Sequence, residues 1–319
     1  MKPFNVFPYD SKIDFMRLRM ISLVVALLIM FVGIGAMFAK GFNFALDFTG
    51  GVSIELAYEK SVDVEGVRKR LEDQGYDSAQ VQAFGTGKEL LVRLRDESSV
   101  KKTGDDPTAS IAESVRVIAS EPGNPAKKLR SAEITPQVGR ELAENGIYAL
   151  LFVVLGFLMY ISFRFEWKFA VAAIITTLHD VTVVVGWFAL SGHEFDLTVL
   201  AGVLSVMGYS INDTIVVFDR VRENFRGMRA SPVEVLNKSI NQTLSRTVIT
   251  SFVAFLTVFA LYLYGGGSLK GMAEAQILGI VIGTVSTIFV ACPLLLWLGV
   301  SKQDLMPKAR DEAALARRP

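Results

Sequence analysis

The sequence predicts a polytopic α-helical membrane protein with six transmembrane helices and one α+β domain of ferredoxin type between helices 1 and 2. Three observations predict it. Six apolar runs are long enough to cross a bilayer, the basic residues gather on one side of those runs, and the soluble stretch after the first run reads β-α-β-β-α-β. With 51% of its 319 residues hydrophobic, the chain is too apolar for an ordinary soluble domain. Uncharged apolar stretches of about 18 residues or more match a hydrocarbon core about 30 Å thick.

Residues 1–18 form an N-terminal tail and 19–39 the first span. Its apolar stretch is longer than the roughly 7–15 residues of a signal-peptide core, and no A-x-A site follows, so it reads as an anchor. The outer domain occupies 40–142. The remaining spans are 143–163, 168–190, 197–218, 246–264 and 273–298, with a loop at 219–245 and a tail at 299–319. The net charge of +1 excludes little, but its placement is informative. Lys2, Lys12, Arg17 and Arg19 lie before or at the start of the first span, and Arg164 and Lys168 lie between the second and third or at the start of the third. Arg220, Arg222, Arg226, Arg229, Lys238 and Arg246 lie in or beside the long loop, and Lys302, Lys308, Arg310, Arg317 and Arg318 follow the last span. The opposite loops, 191–196 and 265–272, hold only Lys270. The positive-inside rule then puts both termini in the cytoplasm and the domain on the outer side of the membrane; long domains cross largely regardless of charge.

Within the domain, "GVSIELAY" (51–58) alternates as a half-buried strand does. "SVDVEGVRKRLEDQG" reads as a helix capped by Ser61 and closed at Gly75. "SAQVQAF" (78–84) and "ELLVRLR" (89–95) flank a hairpin turn at Gly85-Thr86-Gly87. "DPTASIAESVRVIAS" (106–120) has helical spacing at Ile111, Val115 and Ile118, and "LRSAEITP" (129–136) closes as a strand. That order is a split βαβ sandwich. The loop "DRVRENFRGMRASPVEVLNKSINQTLSR" looks largely helical, broken between Gly227 and Pro232. Gly202, Ser205 and Gly208 in the fourth span, and Gly279 and Gly283 in the sixth, let helices approach closely; packing suffices to explain them.

The candidate chemistry lies inside the spans. "VMGYSINDTIVVFDR" (206–220) puts Asn212 and Asp213 in an apolar helix, with Ser205 and Tyr209 on the same broad polar sector. An acid at that depth faces protein or a water-filled cavity. Burial disfavours its charged form and a nearby cation favours it, so it is suited to exchanging a proton. The available cation is Arg246, which opens the fifth span in "NQTLSRTVITS" with Thr243, Thr247, Thr250 and Ser251. Antiparallel neighbours bring Asp213 and Arg246 to similar depth; the alternative is that Arg246 snorkels to the headgroups. His179-Asp180, mid-span in the third helix, is either a second proton-handling site or a buried structural polar pair. Asp219 and Arg220 read as a solvated helix end.

Other features carry less. "GTGK" (85–88) lacks phosphate-loop spacing, so no ATP site is expected. Asn212-Asp213-Thr214 and Asn241-Gln242-Thr243 match a glycosylation pattern by chance. His193 and Glu194 lack metal-ligand spacing, and Cys292 alone forms no internal disulfide. No nucleophile–base pair or zinc pattern supports an enzyme, and neither a cofactor nor a nucleic-acid partner is expected. In "ALDFTGGVSIEL" (45–56), Gly50-Gly51 permit a tight bend, which serves either as a plain linker or as a hinge for the outer domain.

"DFTGG" after the first span, "LHD" in the third, "GYSINDTIVVFDRVRENFR" in the fourth and "NQTLSRTVITS" opening the fifth resemble the SecF family of protein-export membrane subunits, over nearly the whole chain. The resemblance implies half of a transporter of the resistance-nodulation-division superfamily, paired with SecD and associated with the SecYEG channel. It makes Asp213 the proton-binding acid and Arg246 its basic partner. Proton passage would then move the outer domains and help draw an unfolded preprotein across the bilayer. The rival readings are half of a small-molecule or lipid exporter of the same superfamily, for which no large apolar drug pocket is evident, and a non-transporting scaffold for the channel.

Overall fold

The computed structural model describes residues 11–76, 79–84, 88–94, 107–134 and 136–305. A 3-10 turn (Phe15–Leu18) leads into α1 (Arg19–Ala39). Two asparagines hold the entering chain. Asn241 accepts from the Ile13 N–H and donates to its carbonyl, at 3.1 and 2.8 Å, and Asn237 accepts from the Met16 N–H at 3.0 Å. After α1 come β1 (Asn43–Phe44) and one helical turn, α2 (Leu46–Thr49).

The domain then runs β2 (Gly51–Ala57), α3 (Val64–Asp73), β3 (Gln80–Phe84), β4 (Glu89–Leu94), α4 (Pro107–Ala119) and β5 (Lys127–Ile134). The sheet order is β3-β4-β2-β5 with every pair antiparallel. Alternation directs Val52, Ile54 and Leu56 of β2, and Leu90, Val92 and Leu94 of β4, to one face. There they meet Val67 and Leu71 of α3 and Ile111, Ala112 and Val115 of α4. This is the split βαβ arrangement expected. The cap is not: α3 starts after Asp63, not Ser61. Its end is as expected. Gly75 at φ 87° lets its own N–H reach the Glu72 carbonyl and that of Tyr76 reach Leu71, the paired bonds of a Schellman stop. The hairpin turn at 85–87, Ser78 and Thr135 lie outside the described residues.

The bundle continues with α5 (Pro136–Arg164), α6 (Trp167–Ser191), β6 (Glu194–Phe195), α7 (Leu197–Gly227), α8 (Pro232–Tyr264) and α9 (Gly267–Ser286). A π-helical turn (Thr287–Ala291), α10 (Cys292–Trp297) and a 3-10 turn (Lys302–Leu305) complete it. Among the described residues, six helices are long and apolar enough to span a membrane. Their outer faces stay apolar, with Val24, Leu28 and Phe31 on α1, Phe152 and Leu155 on α5, and Phe252 and Leu256 on α8 all exposed. The chain is a multi-pass membrane protein. Helix α7 runs on to Gly227 and α8 begins at Pro232, so most of the stretch 219–245 is helix and the connection is only Met228–Ser231. A capping box explains the restart: Ser231 caps the Glu234 N–H while the Glu234 carboxylate accepts from Ser231, with Pro232 in the first turn.

Small residues bring α7 and α9 together. A Cβ on Gly202 would lie 2.9 Å from the Met272 carbonyl oxygen, one on Gly279 2.1 Å from Val206 Cγ2, and one on Gly283 3.3 Å from Ser210 Cβ. Gly208 faces open space. At one end of the bundle, β1 and β6 pair in parallel, and Phe42, Phe44, Phe48, Phe188 and Phe195 interlock ring against ring. There Arg93 of β4 pairs with Glu194 at 2.9 Å, tying the domain sheet to the bundle. The opposite end is closed by Phe165, Phe169 and Phe218.

Candidate functional site

Helix α7 turns three polar side chains inward within about one turn, Ser210, Asp213 and Thr214, all buried. Asp213 is 6% exposed. Its Oδ1 accepts from Thr247 Oγ1 of α8 at 3.1 Å, and its Oδ2 is buried with no hydrogen-bond partner among the described residues. Thr287, first residue of the π-helical turn, and Arg246 of α8 lie near enough to act on it electrostatically.

Asp180 of α6 is fully buried and differently furnished. Its Oδ2 accepts from Ser210 Oγ of α7 at 2.6 Å and from Ser286 Oγ of α9 at 2.8 Å, and its Oδ1 lies 3.0 Å from His179 Nδ1. Two serine hydroxyls and the His179 imidazole thus surround this one acid. The His179 Nε2 is buried without a hydrogen-bond partner among the described residues. A thin hydroxyl seam joins the two acids. Ser210 lies one turn before Asp213, and Ser286 directly precedes Thr287, whose Oγ1 lies 3.2 Å from Thr214 Oγ1. A second chain of hydroxyls, Tyr209 to Ser251 to Thr284 with 2.7 Å at each step, runs alongside.

The structure separates residues that the sequence grouped. Asp213 is in the bundle interior, but Asn212 and Ser205 are exposed on the outer face of α7. Consecutive residues point about 100° apart, and the tight approach of α9 fixes which of them faces inward. Arg246 is likewise exposed and makes no ion pair with Asp213; the residue after it supplies the contact. It lines an open groove of about 580 Å³ with Asp219, Glu223 and Gln242. Asp219 and Arg220 are not at a helix end, because α7 continues to Gly227; Asp219 pairs at 2.8 Å with Arg164, the last residue of α5. Ser210, Thr214, Ser286 and Thr287 were not singled out from the sequence. The one signal available was a hydroxyl three residues before an intramembrane acid. His193 and Glu194 hold the bundle end, on Glu274 at 2.8 Å and on Arg93.

Gly50 and Gly51 have φ of 77° and 138°. A Cβ on Gly51 would lie 2.1 Å from the Leu94 carbonyl oxygen and 2.8 Å from Leu46 Cδ2. The pair is therefore a packed corner between α2 and β2, and its glycines are required by backbone conformation and close approach.

The fold and site define a class: a multi-pass membrane protein that buries two acids between its helices and carries a split βαβ domain on one end. Residues 115–301 match the family described as protein export membrane protein SecD/SecF, C-terminal, and residues 35–62 match the SecD/SecF GG motif. The chain belongs to the SecD/SecF family. It is 44% identical to the protein translocase subunit SecF of Pseudomonas aeruginosa over 94% of this chain and 96% of that one. Against the SecF of Vibrio alginolyticus it is 40% identical over 95% of both chains. A crystal structure of SecDF from Thermus thermophilus, described as a translocon-associated membrane protein, superposes with a TM-score of 0.78 at 38% identity, covering 92% of this chain and 39% of that longer one.

Proposed function

We propose that this chain is a subunit of protein export that converts the proton motive force into work on a preprotein. It pairs with SecD, associates with the SecYEG channel, and sits in a bacterial inner membrane with both termini cytoplasmic and the α+β domain periplasmic. Asp213 binds and releases the proton. Arg246, across the α7–α8 groove, is the cation that takes over when the proton leaves, and Asn212 marks the outer face of the same turn. His179 and Asp180 complete the buried polar group, and the Gly50-Gly51 corner is the point about which the domain swings. The carrying observation is the second oxygen of Asp213, buried within a spanning helix with no hydrogen-bond partner among the described residues: a charge left so is costly, and a proton removes the charge. Inward proton flow supplies about 2.3 kcal/mol per charge per 100 mV, and several protons suffice to bias a domain movement.

The test is Asp213→Asn in the assembled complex. Gradient-driven export of a preprotein into membrane vesicles is expected to fall to the level seen without a gradient, with partner co-purification unchanged. Export that still responds fully to the gradient overturns the assignment.

A further inference from the structure

The two buried acids are unequal. Among the described residues, Asp180 accepts from two serine hydroxyls and lies against the His179 imidazole, whereas Asp213 accepts from one threonine hydroxyl. They are joined by adjacent residues, Ser286 on Asp180 and Thr287 beside Asp213, at the place where the last span changes from α-helix to a π-helical turn. Such turns carry one extra residue per turn and concentrate at functional sites. Pro293 follows closely. It has no N–H, and its ring crowds the carbonyl four residues back, Phe289, within that wider turn. The Thr287 hydroxyl has one proton and three neighbouring acceptors, Thr214 Oγ1 at 3.2 Å among them. It donates to the Gly283 carbonyl at 2.8 Å, and the Asp213 carboxylate lies beside it.

We propose that Asp180 is a positioning residue for proton exchange at Asp213. Through Ser286 it holds the π-helical turn in the register that keeps the Thr287 hydroxyl poised between the Gly283 carbonyl and Asp213, and it does not itself exchange the proton. The inference rests on the proton-binding role of Asp213. When Asp213 is protonated, Thr287 serves its own helix; when Asp213 loses the proton, the same hydroxyl rotates to the bare oxygen. Among the described residues, the charged or titratable groups near enough to act on Asp213 are Arg246 of α8, on the exposed side, and Cys292 of α10, and the one in contact with Asp180 is His179.

The experiment uses the full chain, co-purified with its membrane partner in lipid nanodiscs, with two readouts. Cys292, the only cysteine of the chain, is buried and directly follows the turn, so its alkylation rate with N-ethylmaleimide reports the register without reference to protons. Ser286→Ala, and separately Asp180→Asn, are expected to raise that rate roughly tenfold or more, the scale of losing one hydrogen bond to a charged group. The second readout is the infrared carboxyl band that disappears in Asp213→Asn. Its pH midpoint is expected to move in Ser286→Ala and in Thr287→Val and to stay in place in Thr287→Ser. Unchanged Cys292 reactivity in both Ser286→Ala and Asp180→Asn overturns the register claim, whatever Asp213 does. Altered reactivity with an unmoved Asp213 band overturns the positioning claim. A second pH-dependent carboxyl band that disappears in Asp180→Asn makes Asp180 a proton carrier and also overturns it. Failure of the export role is seen separately, as gradient-driven export that survives Asp213→Asn.

Discussion

Gly279→Ala is a one-methyl change that the structure predicts to be costly. The new Cβ would lie 2.1 Å from Val206 Cγ2, 2.4 Å from Cγ1 and 2.7 Å from Cβ. Ordinary contact begins at 3.4 Å, so the nearest approach is short by 1.3 Å. Rotating Val206 gives no relief, because both methyls and the Cβ that carries them are in the way. Helices α7 and α9 must part by about that distance, and the hydroxyl seam lies one to two turns further along the same interface. The 3.2 Å contact between Thr214 and Thr287 would open well beyond hydrogen-bonding range. Ser210 and Ser286, at 2.6 and 2.8 Å from the same oxygen of Asp180, could not both keep their bonds. Overpacking of this kind costs about 1–3 kcal/mol, against the gain of up to about 1 kcal/mol that Ala otherwise brings to a helix interior. Gly208→Ala is the matched control, on α7 with open space around it. Thermal unfolding of the purified complex should place Gly279→Ala below wild type and Gly208→Ala at or above it, and only the former should lose gradient-driven export. Equal melting temperatures for the two variants would refute the close-packed interface and the argument built on it.

Two further outcomes follow from the domain. Tyr58, buried with its hydroxyl donating to the Ala119 carbonyl at 3.1 Å, is pushed up to about 12, first by burial and then by the charge of Glu121. The unfolded chain loses that proton near 10, so the contribution is intact below pH 10 and drains away as pH rises from about 10 to 12. Hydrogen exchange at β2 and α4 in the full-length protein should show that alkaline weakening, and Tyr58→Phe should abolish it. The Arg93–Glu194 pair, with side chains only 17% and 14% exposed, ties the sheet to the bundle. Arg93→Glu or Glu194→Arg alone should separate spin labels placed on β4 and α9, and the double swap should bring them back together, with a coupling of about 0.5–3 kcal/mol in a double-mutant cycle. Additive effects of the two changes would show that the pair carries no coupling.

Much of the architecture was legible in the linear chain because its signals are local. Six apolar runs, the alternation of "GVSIELAY" and the stop at Gly75 each depend on neighbours within a few residues. The break between α7 and α8 was legible for the same reason: a serine, a proline and a glutamate stand in capping order at 231–234. Asp213 was also legible, since an acid in an apolar run is conspicuous wherever it points. Its surroundings were not. The sequence put Asn212 on the same sector as Asp213 and Arg246 opposite it, and each is one residue out of register with what faces inward: Asp213 is buried beside exposed Asn212, and Thr247 rather than Arg246 touches the acid. A step of about 100° per residue means that composition names the turn but not the face. Asn241, an apparent chance glycosylation match, proved to be a clamp on the entering chain at Ile13, 228 residues away.

The sequence alone therefore determined that the chain crosses a membrane, how many helices do so, the class of the domain between the first two, and the presence of buried acids that need a partner. Only the tertiary structure decided which partner each acid has. That depends on glycines at 202, 279 and 283 that let α9 lie against α7, and on a π-helical turn that sets Ser286 and Thr287 before two different carboxylates. Apolar density and alternation are written in adjacent residues. The rotation of one helix against another is set by the shapes of side chains tens of residues apart, which meet only when the bundle closes.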